Sequence, residues 1–276
     1  MLFGIVACDH ADFPSAVSSL VVEGYIDAGG FPVVMLTTSV PVSSSVQYLD
    51  SLQEHLIRWA RVAVSDGENE VVLTGKFDRN YFPPYIYTTG GLRGEVGKTY
   101  TLTVDYDRYH ATAVTTIPSV PQIDSIRVLP TSVDSLCSIK IAFTDPQHEK
   151  NYYKVFVRKG AYARQWRSSY LGVLDDGLLD GCSELTVSNG ELLTDTLEYT
   201  PFFQYTDTIG VKFAAIDREA YLYWKSYEEY TNFSRNPLFP VNNNLFSNIQ
   251  GGIGCWYGCG ANIFYLNLNE YRSRQP

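Results

Sequence analysis

Hydrophobic and polar residues alternate along much of the first hundred positions. Leu20, Val22, Gly24 and Ile26 alternate with Val21, Glu23 and Tyr25, and this period of two predicts a strand. Gly29 and Gly30 permit positive φ, so Asp27–Gly30 reads as a turn before a second strand over Val33–Val40. A looser, Ser-rich stretch follows from Pro41 to Asp50, and Gln53–Trp59 suits either a short helical turn or a strand approach. Further strands are predicted at Arg61–Ser65, Glu70–Thr74, Tyr85–Thr88, Thr99–Asp105 and Tyr109–Thr115. Asp66-Gly67 and Asp107-Arg108 supply hairpin turns between them. Short strands with turns about every eight to twelve residues predict an immunoglobulin-like sandwich over residues 18–117.

Pro118 and Pro121 stiffen the chain at Ile117–Gln122, where a module boundary is expected. Alternation resumes in a second module, residues 122–276. Cys137, Ile139, Ile141 and Phe143 form one row, Tyr153, Val155 and Val157 a second, and Ile209, Val211, Phe213 and Ala215 a third. These resemble strands of a fibronectin type III-like sandwich. From Asp217 the period becomes helical. Ala220, Tyr223 or Trp224, Tyr227 and Tyr230 share a face, Asp217 is a natural N-cap, and Glu219 sits in the first turn. A helix is therefore expected over about 217–232. Asn236-Pro237 ends any helix. A Gly-rich loop is expected around Gly251–Gly254, and Asn262–Leu268 alternates again as a returning strand. The fold class is mainly β, with two sandwich modules and a helix near the C-terminus.

Composition narrows the function classes. The 276 residues are 45% hydrophobic and 18% charged, which excludes a disordered chain. A net charge of −9 with no basic stripe argues against nucleic acid as a partner. No apolar run reaches the ~18 residues of a membrane span. The chain is rich in tyrosine, with 21, a residue that favours strands and half-wet surfaces.

Residues 1–8 look like the remnant of a lipoprotein leader. An apolar stretch ends in Ala7, a small residue directly before Cys8, as in a lipobox. Cleavage there would leave the Cys8 sulfur to carry acyl chains, each buried methylene contributing ~0.8 kcal/mol to membrane attachment. No Lys or Arg precedes Arg58, so the basic start of such a leader is expected upstream or has been trimmed. Residues 9–17 read as a polar tether.

Several segments together resemble one family of bacterial lipoproteins, domain of unknown function 4249. They include Val21-Val22-Glu23-Gly24-Tyr25-Ile26, Gly94, Lys98–Val104, Tyr109 with Ala111, the Pro118 junction and Ile123–Ile126. Asp176, Leu179-Asp180-Gly181 and Tyr221–Tyr230 continue the likeness. Asn248-Ile249-Gln250-Gly251-Gly252-Ile253-Gly254 is its most specific piece. The resemblance implies an outer-membrane lipoprotein of Gram-negative bacteria, often encoded beside a TonB-dependent transporter. It implies location and company rather than chemistry, and leaves the membrane face and the ligand open.

No catalytic constellation emerges. Gly-x-Ser-x-Gly and His-Glu-x-x-His are absent, and no Cys has a plausible His partner. The chain is expected not to be an enzyme and to need no cofactor. Gly251, Gly252 and Gly254 lack the lysine and helix start of a phosphate loop. Cys255 and Cys259 are spaced for half a zinc site at most, so no metal is expected; a disulfide between them is the expected pairing. Cys137 points inward as a small buried hydrophobe or joins a bridge. Asp175, Asp176 and Asp180 cluster without the spacing of a calcium loop. Aromatic clusters are the binding candidates: Tyr81, Phe82 and Tyr85 in one stretch, Trp166 and Tyr170 in another, Trp256 and Tyr257 in the Gly-rich region. The leading expectation is non-catalytic ligand capture beside a TonB-dependent transporter. A structural or adhesive surface protein is the alternative, and an envelope hydrolase with paired carboxylates is a third.

Overall fold

The computed structural model describes residues 18–39, 54–146, 149–160, 166–178, 182–190, 200–233 and 245–272. The protein is mainly β. The amino-terminal strands are β1 (Leu20–Asp27), β2 (Val33–Thr38), β3 (Arg61–Ser65), β4 (Glu70–Val72), β5 (Thr74–Phe77), β6 (Tyr85–Thr88), β7 (Thr99–Tyr106) and β8 (Tyr109–Thr116). Then come β9 (Gln122–Pro130), β10 (Leu136–Thr144), β11 (Tyr152–Lys159), β12 (Arg167–Asp175), β13 (Cys182–Val187), β14 (Phe203–Gln204) and β15 (Thr208–Ile216). Helix α1 (Arg218–Phe233), β16 (Ile253–Asn267) and the short α2 (Asn269–Arg272) complete the described chain. No described helix is long and apolar enough to cross a membrane.

Eight strands form one large sheet in the order β12-β11-β15-β16-β1-β2-β6-β5. Two four-stranded sheets accompany it: β4-β3-β7-β8, and one in which β10 pairs with β9, β13 and β14. The large sheet is held together by β16, the longest strand at 15 residues. Its first half runs parallel to β1, from Val21 opposite Ile253 to Asp27 opposite Cys259. Its second half runs antiparallel to β15, from Ala215 opposite Gly260 to Thr208 opposite Asn267. Ile253–Cys259 thus lies among the amino-terminal strands, although the hydrophobic pattern assigned all of 122–276 to one module. The expected Gly-rich loop is likewise corrected. Only Gly251 and Gly252 turn, and from Ile253 onward the chain is strand.

Packing explains the glycines within β16. The linker passes directly over β16, so a Cβ on Gly260 would overlap the Pro118 carbonyl, and one on Gly258 would press into Ile117. Trp256, opposite Gly24 on β1, is fully buried, and a Cβ on Gly24 would come within 2.8 Å of its ring. The indole N–H donates to the Tyr100 carbonyl at 3.1 Å, fastening the large sheet to β7. Asn248 receives the Trp256 backbone N–H at 3.0 Å and donates to its carbonyl at 2.7 Å, imitating a neighbouring strand.

One face of the large sheet carries two apolar cores. Leu20, Val22, Ile26 and Trp256 meet Val62, Leu102 and Val104 of the first small sheet. Val155, Val211 and Phe213 meet Ile139, Ile141 and Phe143 of the second. Cys137 is a free, buried thiol in that second core. The opposite face is covered in part by α1, which buries Ala220, Tyr221 and Trp224 against Phe156, Cys255 and Tyr257. The Asp217 carboxylate caps α1 by accepting the Ala220 N–H at 2.8 Å. Its second oxygen accepts the Thr115 hydroxyl, and Thr115 Oγ1 in turn accepts the Gly258 N–H, so the helix start is tied to both β8 and β16.

Candidate functional site

Beside α1 the second face of the sheet opens into a narrow cleft. Strand alternation builds its floor. Glu23 and Tyr25 of β1, Met35 of β2, Lys212 of β15 and Tyr257 of β16 all project from the face opposite the apolar cores. Phe156 of β11 joins them. Trp224 of α1, Trp166 just ahead of β12 and Tyr81 from the β5–β6 loop make the walls. The rings touch one another. Phe156 stacks on Tyr257 at 6.3 Å and meets Trp224 edge-on at 5.4 Å, and Tyr25 lies 6.0 Å from Tyr257.

Two lysines lie buried in this aromatic layer. The Lys212 ammonium donates to Asp27 at 2.5 Å and sits 5.1 Å and 5.3 Å from the ring centres of Tyr25 and Phe156. Burial works against its charge, but Asp27, with Cys259 beside it, outweighs that and holds the ammonium above its ordinary range. Lys154 donates to Glu228 of α1 at 2.7 Å and sits 5.0 Å and 5.9 Å from the ring centres of Trp224 and Phe156. Here burial dominates and brings the ammonium down to about 8. Glu228 also accepts the Gly172 N–H at 3.0 Å, so this carboxylate joins α1, β11 and β12.

Glu23 is different. It is an exposed position of β1 that lines the cleft, with α1 and β16 crowding the water around it. Loss of bulk solvent around it pushes its carboxyl up to about 7. Its charge is felt by Tyr223 and Tyr227 of α1 and by Cys255 and Tyr257 of β16, all held above their ordinary ranges chiefly by burial. Among the described residues no hydrogen bond and no ion pair reaches the Glu23 carboxylate. The buried Trp224 indole N–H likewise has no partner among the described residues.

The candidate aromatics divide. Tyr81, Trp166 and Tyr257 line the cleft. Trp256 does not bind from a surface loop, because it is a core residue. Tyr85 packs on the first core with its hydroxyl on the Arg58 carbonyl at 3.1 Å, Phe82 is 49% exposed, and Tyr170 is half-buried on β12 away from the cleft lining. The expected Cys255–Cys259 bridge is overturned, since both are free, buried thiols. Four residues apart on one strand, they are separated by ~13 Å at ~3.3 Å per residue, beyond the reach of a disulfide. Asp175 and Asp176 serve as acceptors for the Tyr221 hydroxyl and the Asn151 N–H, while Asp180 and Cys8 lie outside the described residues. Glu23, Lys212 and Trp224 were not anticipated. One signal was available: Lys154 and Lys212 each interrupt an apolar strand.

These features define a β-rich protein with an aromatic cleft that carries one carboxylate, Glu23, among its described lining residues. Over residues 10–262 the chain matches the family described as Domain of unknown function (DUF4249), and it belongs to that family. No curated protein matches it.

Proposed function

We propose that this protein is a non-catalytic, ligand-capturing lipoprotein of the outer membrane, anchored through Cys8 and working beside a TonB-dependent transporter. The observation that carries the reading is the aromatic cleft. Six of its nine lining residues are aromatic, which suits binding of a small apolar or amphipathic group. A general acid–base pair needs two poised groups, and Glu23 is the one carboxylate among the described lining residues. The buried Cys255 and Cys259 thiols are held protonated by burial, which suits packing rather than nucleophilic attack. The layers of sheet on sheet support immunoglobulin-like and fibronectin type III-like modules as the architectural reading. Anchoring would concentrate captured ligand at the transporter mouth.

The test is metabolic labelling with a fatty acid in a Gram-negative host, using the chain with an intact leader. Label on the wild type and none on Cys8→Ser, with loss from the membrane fraction, is expected. Co-purification with a transporter after mild solubilisation is the second expectation. An unlabelled, freely diffusing product would overturn the anchor, and a protein that never travels with a transporter would overturn the partnership. The adhesive alternative draws on exposed Trp59 and Phe77, at 88% and 60%. It expects deletion to leave nutrient uptake unchanged.

A further inference from the structure

The face of the sheet beside α1 repeats one small arrangement. At Lys212 it consists of an ammonium, the Asp27 carboxylate, and the rings of Tyr25 and Phe156. At Lys154 it consists of an ammonium, the Glu228 carboxylate, and the rings of Trp224 and Phe156. Both ammonium groups are buried and survive there because a carboxylate and electron-rich ring faces replace water. At Glu23 a third arrangement is incomplete. The carboxylate is present, directly beside Cys255 in the β1–β16 register, and Tyr257, Tyr223 and Tyr227 feel its charge. No ammonium of the described residues stands against it. Unlike the other two carboxylates, Glu23 opens into the cleft.

We infer that the cleft takes a primary ammonium group on an apolar stem, seated on Glu23 and walled by the surrounding rings. This rests on the ligand-capture reading and names its ligand class. With Lys212 neutralised by Asp27, the lining carries one uncompensated negative charge, so a cation is favoured and an anion is repelled. The ammonium would donate to Glu23, as Lys212 donates to Asp27, and its stem would lie along Tyr25, Met35 and Tyr81. Two sources share this chemistry: a free alkylamine and a lysyl side chain of a polypeptide.

The experiment titrates the full chain at pH 8 with n-hexylammonium, n-hexanol and hexanoate, followed by tryptophan fluorescence and calorimetry. Hexylammonium is expected to bind about ten- to a hundredfold tighter than hexanol, the worth of one charge-assisted contact, and hexanoate not to bind. Glu23→Gln is expected to bring hexylammonium down to the hexanol level. Hexanol binding as tightly as hexylammonium in the wild type would overturn the cation assignment and leave the capture reading standing. Binding of none of the probes would overturn the inference, whereas fatty-acid labelling and co-purification judge the capture reading separately. The wild-type comparison needs no variant, so it decides even if Glu23→Gln fails to fold. A parallel titration with N-acetyl-lysine-N-methylamide separates the sources: tighter binding than hexylammonium favours a polypeptide side chain, weaker binding a free amine.

Discussion

Trp256 and Tyr257 are neighbours on β16, and they face opposite worlds. Trp256 enters a dry apolar core, its one polar atom matched to the Tyr100 carbonyl. Tyr257 enters a layer of rings threaded by two buried ammonium groups and opened by a cleft. The first face has the composition of a packing surface. The second keeps charges that packing alone would not require, because replacing buried ion pairs with apolar residues is often neutral or stabilising. Charges retained at such a cost point to use, and this contrast locates the site.

The contrast can be broken from either side. The largest effect is expected on the dry face: Trp256→Ala should lower unfolding free energy by about 3–5 kcal/mol in urea titrations. A loss below about 1 kcal/mol would mean that Trp256 is not the joint between sheets. On the wet face, Lys212→Met leaves Asp27 without its cation. Because Asp27 retains some contact with solvent, a loss of about 1–3 kcal/mol is expected, and Asp27→Asn/Lys212→Met should recover much of it.

Next is a pH dependence. The folded-state carboxyl of Glu23 lies near 7, above its ordinary 4.5, so between those values the folded protein binds the extra proton. Stability from this group is present in full below about 4.5 and is lost as pH rises towards about 7. Tyr223 and Tyr227 on α1, and Cys255 and Tyr257 on β16, are all held above their ordinary ranges and stay neutral through that window. Lys212 remains charged there. The wild type should therefore lose stability relative to Glu23→Gln across the window, and parallel curves would show an unperturbed carboxyl.

The smallest change is at the cleft wall. Trp224→Phe removes a buried N–H that has no acceptor among the described residues, so stability should change by no more than about 1 kcal/mol while the ring wall persists. Thiol mapping sharpens the same picture. Cys255 and Cys259 should resist thiol reagents in the folded protein and react together on unfolding, with no bridge between them.

Much of the fold was legible because many strands are wet on one face. Leu20–Asp27 and Leu136–Thr144 alternate cleanly for that reason, and α1 announced itself through Asp217 and the spacing of Ala220, Trp224 and Tyr227. The first half of β16 was illegible for the opposite reason. Cys255 through Gly260 is buried on both faces, so no alternation survives, and the glycines that make room for Ile117 and Pro118 imitate a loop. The cleft was only partly legible. Tyr81, Trp166 and Tyr257 stand out as aromatics, but nothing local joins Glu23 to Lys212, because β1 and β15 meet only through β16.

That intermediary has a consequence for biogenesis. Among the described strands, β16 is the last to leave the ribosome or the translocon, yet it occupies the middle of the sheet. Until then β1 and β15 each present an open edge, β1 across more than two hundred residues of waiting chain, from Leu20 to Ile253, and β15 across fewer than forty, from Ile216 to Ile253. Such long-range closure is slow and leaves adhesive edges exposed, so the large sheet stays open to wrong pairings until β16 arrives.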